Sequence, residues 1–262
     1  MDEFIRPKPL CLIIISGLHV DYLSNSKTSN LKNLVNNYPY LSLSSSKNNT
    51  DEFHKGYIEL GSGNAVEEKS EISLSKTVSD AGLTQLHLAD TESYAYLNYF
   101  FNNQNKSKHD KEDWFKVPLL EFDFNIDNVD AVHNRLTKKV IKEINRQYYD
   151  FIVVNYNNLL VNSDKIIALN ELDKNIKDII DTILSFNGAI LITSNSGLEK
   201  KENKVPLFLV SKSWKDKSFI DYDYRKKINE QIVSGNITQI SPTILKILGL
   251  SKSRQMKSNS LI

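Results

Sequence analysis

Four short apolar runs decide most of what this 262-residue chain can become. They cover residues 10–15 (Leu-Cys-Leu-Ile-Ile-Ile), 151–154 (Phe-Ile-Val-Val), 189–193 (Ala-Ile-Leu-Ile-Thr) and 207–210 (Leu-Phe-Leu-Val). None alternates apolar with polar residues, as a strand with one wetted face would. An unbroken apolar strand has to be covered on both sides, which is the condition of a parallel strand inside an α/β sheet. The intervening sequence supplies the cover. Leu31, Leu34 and Val35 fall at helical spacing within 28–37, and 129–147 and 166–186 repeat the pattern, the last stopped by Asn187-Gly188. The spacing predicts an α/β fold with a mostly parallel sheet flanked by helices on both faces, and one domain over 1–262.

Weaker signals fill the gaps. Residues 41–44 alternate as a strand would, 72–82 read as a short helix closed by Gly82, 84–88 as a strand, and 94–101 as an aromatic helical segment. Residues 44–50 and the charged stretch 106–112 read as solvated loops. Ser241 is expected to cap a last helix with Pro242 in its first position, and Gly249 to end it.

Charge narrows the partners. With 33 basic and 32 acidic residues the formal net charge is +1, too little to attract nucleic acid or an anionic membrane. No apolar run nears the roughly 18 residues of a membrane span, and the first residues lack the apolar core of a signal peptide. The single cysteine, Cys11, cannot form an intramolecular disulfide, so a cytoplasmic location is expected.

Five stretches carry a family resemblance: Pro9 to Gly17 followed by Lys27-Thr-Ser-Asn-Leu; Gly56 to Gly63; 72–102, with Ala81-Gly-Leu-Thr-Gln-Leu and Asp90-Thr-Glu-Ser-Tyr-Ala-Tyr; Tyr149-Asp-Phe-Ile-Val-Val-Asn; and Gly188 to the end, with Ser241-Pro-Thr-Ile-Leu. In this order the chain resembles cofactor-independent phosphoglycerate mutase, of the alkaline-phosphatase superfamily. The resemblance implies a phosphatase-like domain. The family's inserted phosphotransferase domain is missing, because Gly61-Ser-Gly continues through 65–71 straight into Ile72-Ser-Leu.

The resemblance also implies where a two-metal site would lie, and the residues there are unsuited to it. Two divalent ions about 4 Å apart need several carboxylates and imidazoles. The family's first metal-binding Asp corresponds to Ser16 and its nucleophilic Ser to Phe53. Its Asp-His pair corresponds to Asn195-Ser196, a further ligand His falls near Lys200, and a phosphoryl-contacting Lys is Ser93. A tighter loop at 156–165 offers one carboxylate, Asp164. The family reaction is therefore not expected, nor is any cofactor or metal.

Core-forming residues are kept where site residues are replaced, a pattern that points to a retained shape. The expected role is a non-catalytic scaffold subunit of a larger protein complex, whose partners could belong to energy metabolism or an ATP-driven machine. His54, Lys55, Glu67, Glu68 and Lys69 are candidate interface residues, with Trp114, Trp214, Tyr222 and Tyr224 as candidate aromatic anchors. Two alternatives stand beside it: a small-molecule sensor without turnover, and a metal-free hydrolase built on His19 or His54 with Ser16, Asp21 or Asp164.

Overall fold

The computed structural model describes residues 6–262 apart from 46–52, 69, 119–128, 162–163, 198–202 and 218–232. Its strands are β1 (Leu10–Ile15), β2 (Tyr40–Ser44), β3 (Gln85–Asp90), β4 (Glu112–Val117), β5 (Phe151–Tyr156), β6 (Ala189–Thr193), β7 (Lys204–Ser211) and β8 (Val233–Asn236). They form one sheet in the order β4-β3-β5-β1-β6-β7-β2-β8. All neighbouring pairs are parallel except those made by β7, which runs against β6 and β2. The apolar runs at 10–15, 151–154 and 189–193 thus become the adjacent parallel strands β5, β1 and β6, as their composition required.

The helices are α1 (Val20–Asn25), α2 (Ser29–Asn37), α3 (His54–Ser62), α4 (Leu74–Asp80), α5 (Val129–Asn145), α6 (Asn158–Val161), α7 (Lys165–Ser185) and α8 (Ile240–Ile247). Two cores sit on opposite sides of the sheet. Cys11, Ile13 and Ile15 of β1 pack with α1, α2, α5 and α7. Leu10, Leu12 and Ile14 pack with α3, α4 and α8. Successive side chains of a strand point to opposite faces, so a strand between two helical layers tends to be apolar at successive positions rather than at alternate ones.

Two sequence expectations need correction. Residues 106–112 are not loop throughout: Glu112 opens β4, the edge strand, whose mixed composition suits a position with one open side. Ser241 is not a helix cap. The helical turn starts earlier, at a 3-10 segment (Ile237–Gln239) capped by Asn236, whose side chain accepts from Thr238 N while Gln239 reaches back to the Asn236 N–H. Ser241 lies inside α8 and donates its hydroxyl to the carbonyl of Leu60, tying α8 to α3. Gly249 does end the helix, at φ 71°.

The aromatic segment is a π-helix, Tyr96–Phe100. Its wider turn brings side chains four apart nearly into line. Tyr96 and Phe100 lie 5.8 Å apart, ring to ring, while Asn98 and the following Asn102 both reach inward. Asn98 Oδ1 is 3.2 Å from His87 Nδ1, and Asn102 donates to Glu112 Oε1 at 2.9 Å. His87 and Glu112 form a fully buried pair at 3.3 Å, fastening β3, β4 and the π-helix together.

Candidate functional site

The carboxyl ends of β1, β3, β5 and β6 meet at one edge of the sheet, the usual place for a site in an α/β fold. Ser16, just past β1, donates its N–H to the Tyr156 carbonyl at 2.8 Å. Its hydroxyl lies 2.6 Å from the Tyr57 hydroxyl and 3.0 Å from Asn155 Oδ1, and Tyr57 donates to the same amide oxygen at 3.0 Å. These three buried groups close a triangle between β1, β5 and α3. Burial pushes the pKa of the Tyr57 hydroxyl up, against the lowering effect of its hydrogen bond with Ser16, so it stays neutral.

Aromatic rings cover the triangle. Phe53, at the start of α3, packs edge-on against Tyr57 and Tyr96, and Tyr57 stacks on Tyr96 with centroids 5.6 Å apart. His54 lies over Phe100 at 4.8 Å. α3 is pressed onto the loop after β6, where any side chain at Gly56 would run into the Asn195 carbonyl. Asn195 donates its amide to the Phe53 carbonyl at 3.4 Å. Ser196 donates its N–H to Ser194 Oγ, which in turn bonds the Ser196 carbonyl.

A second polar group lies beside the first, at the ends of β3 and β5. Ser93 is buried and donates its N–H to Asp90 Oδ1 at 2.8 Å. His133 of α5 has its Nε2 2.8 Å from Asn157 Oδ1 and 3.9 Å from Asp90 Oδ2, and Asn157 donates to Glu92 at 3.2 Å. His19 also lies at this edge, where its Nδ1 accepts the Asp21 N–H and caps α1. That nitrogen therefore offers a lone pair, not a proton, to the Asp21 carboxylate 3.4 Å away. Asp164 caps α7 through the N–H groups of Ile166 and Ile167. Ser16 bonds Tyr57 and Asn155 rather than a histidine, so the Ser-His arrangement of a hydrolase does not form around it.

Ser16, Phe53, Asn195, Ser196 and Ser93 thus converge on this edge, while Lys200 lies outside the described residues. His54 and Lys55 open α3 half-buried; Glu67 and Glu68 are exposed in the link between α3 and α4. Lys69, Tyr222 and Tyr224 fall outside the described residues. Tyr57, Asn155, Asp90 and His133 were not singled out by the sequence. His133 had one signal, since it sits with Val132, Leu136 and Val140 on the buried side of α5.

The model of a family described as the Metalloenzyme superfamily matches residues 14–252. A 2,3-bisphosphoglycerate-independent phosphoglycerate mutase of Antithamnion sp. is 32% identical over 202 residues, covering 72% of this chain and 39% of that protein. The chain therefore spans about two fifths of the length of the curated relatives it matches. Among solved structures, an alkaline-phosphatase-superfamily protein from Vibrio parahaemolyticus aligns with a TM-score of 0.67 at 10% identity, covering 99% of this chain and 70% of its own. A Leishmania mexicana phosphoglycerate mutase, determined at low cobalt concentration, aligns with a TM-score of 0.58 at 17% identity, covering 74% of this chain and 39% of its own.

The residues at the edge do not suit the divalent metal that the family description implies. Ser16, Tyr57 and Asn155 offer neutral oxygens already engaged with each other, Asn195 and Ser196 offer only neutral side-chain oxygens, and Phe53 offers none. Among the described residues, no three His, Cys, Asp or Glu side chains stand together as a metal cluster.

Proposed function

From a chain that belongs to the Metalloenzyme superfamily and matches phosphoglycerate mutases over part of their length, we infer a non-catalytic structural subunit of a larger cytoplasmic protein assembly. The observation that carries this reading is the position of Tyr57. Its hydroxyl fills the space between Ser16 and Asn155, and Phe53 and Tyr96 close over it. Phosphoryl transfer at this edge needs a nucleophile, charge to offset the phosphoryl oxygens, and room for the substrate. The volume is instead occupied by uncharged side chains bonded to one another.

What is retained is the single sheet covered by helices on both faces and the loops at its carboxyl edge. A specific partner on that edge should bury about 1,000 Å² or more. The candidate contacts are His54 and Lys55 at the start of α3 and Glu67, Glu68 and Lys69 in the following link. Among the described residues no helix is long and apolar enough to cross a membrane.

Two measurements test the reading together. Purified protein supplied with Mn²⁺ should show phosphoglycerate mutase and phosphatase activity at background. Mild extraction from its own cells should recover it in fixed stoichiometry with other proteins. Turnover abolished by Ser16→Ala, or a free monomer at cellular concentration, would overturn it.

A further inference from the structure

Among the described residues, several buried polar atoms meet no partner, and those of Asn155, Thr193 and Asn195 lie at the carboxyl edge of the sheet, with the hydroxyl of Ser196 next in the chain. Asn155 uses its Oδ1 on Ser16 and Tyr57, but its Nδ2 meets no acceptor. Thr193, the last residue of β6, has an unbonded Oγ1. Asn195 uses its Nδ2 on the Phe53 carbonyl and leaves its Oδ1 unmet. All three residues are 0% exposed.

Register puts two of them on one face of the sheet. Ile14 of β1 pairs with both Asn155 and Thr193, so these two side chains leave the sheet on the same side, flanking Ile14. Ile14 faces the core that contains Tyr57 and α3. Asn195, two residues past Thr193, is held to the same side by its bond to the residue that begins α3.

Buried polar groups are nearly always paired, because an unmade bond forfeits the hydration lost on folding. Three unmade bonds in one place indicate a common missing partner. The set has a particular chemistry: an amide N–H₂ that only donates, an amide oxygen that only accepts, and a hydroxyl that does either. A cation finds no carboxylate among them and faces the amino-terminal turn of α3, the positive end of that helix. An anion is repelled by the unmet Asn195 oxygen. A water molecule, with two donors and two acceptors, has a complement for each of the three, and three or so bonds are typical of a buried water.

We propose that Asn155, Thr193 and Asn195 jointly bind one ordered, buried water at the carboxyl edge of the sheet, a site for neutral solvent in place of a metal ion. The inference is independent of what the chain assembles with.

The test is a high-resolution crystal structure in Na⁺, K⁺ and Mg²⁺ salts, with thermal melts of the wild type, Thr193→Val and Thr193→Ser. The expected result is one water peak at hydrogen-bond distance from all three atoms in every salt. Thr193→Val should lower Tm by about 2–4 °C, while Thr193→Ser, which keeps the hydroxyl, retains the peak and most of the stability. A dry site, a Thr193→Val variant at least as stable as wild type, or a salt-specific peak with a matching rise in Tm would each overturn the proposal. Should Thr193→Val fail to fold, the wild-type and Thr193→Ser crystals decide it alone.

Discussion

At the scale of single residues, Tyr57 is the side chain on which the edge depends most. Tyr57→Phe keeps the ring stack but removes the hydroxyl shared by Ser16 and Asn155. Loss of about 1–3 kcal/mol is expected in urea unfolding, the usual cost of stranding a buried polar group. Gly56→Ala should cost about as much for another reason, since its methyl group would enter the Asn195 backbone, which cannot rotate away. The buried pair sets a pH dependence. Burial lowers the pKa of His87 below 6.5, with Glu112 opposing, so the unfolded chain binds its proton first as pH falls. Glu112 would be raised by burial, but His87 and the hydrogen bonds from Asn102 and His109 bring it net below 4.5. It therefore adds stability above that value that is lost as pH drops through its folded pKa. Both effects have one sign: urea midpoints should fall from pH 7 to 5.5 through His87 and further below about 4.5 through Glu112. A His87→Gln variant whose midpoint still fell as steeply between pH 7 and 5.5 would refute the first part. The sequence placed Ser16, Phe53 and Asn195 at one edge through resemblance. It could not show Tyr57 and Asn155 closing on Ser16, because those bonds span 41 and 139 positions of chain and depend on how α3 settles on the sheet.

At the scale of elements, what could be read in advance was what burial alone dictates. β1 and the stretches 151–154 and 189–192 of β5 and β6 are apolar throughout because both faces are covered, and Ile13→Ala should accordingly cost about 2–5 kcal/mol by chemical denaturation. β4 and β8 escaped notice because strands at the two ends of a sheet need no such composition. Glu-Asp-Trp-Phe-Lys-Val and Val-Ser-Gly-Asn carry as much polar as apolar character. The last helix was placed correctly but its start was not. Ser241-Pro242 has the composition of a cap, yet the Asn236–Gln239 box caps a 3-10 turn that runs directly into α8. Asn236→Ala should lower stability by about 0.5–2 kcal/mol, measured by thermal melt. Ser241→Ala should act differently, by loosening α8 from the Leu60 carbonyl of α3.

At the scale of the whole molecule, an assembly role predicts a separation of effects. Charge reversal at Glu67 and Glu68, exposed and away from both cores, should leave Tm within about 1 °C of wild type while weakening recovery of the native complex. Equal recovery of partners with wild-type and reversed chains would count against this face. The order of the strands has a further consequence, for how the chain reaches this state. β1 sits at the centre of the sheet, yet Leu10 pairs with Phe151 on one side and Ala189 on the other. On the ribosome, the Leu-Cys-Leu-Ile-Ile-Ile segment therefore emerges well before its two partner strands and waits for them. Such non-local pairing slows folding, and a six-residue apolar strand without charge or proline is prone to aggregate while it waits. Synthesis of this chain should thus lean on chaperones that shield nascent apolar segments until residues 151 and 189 have been made.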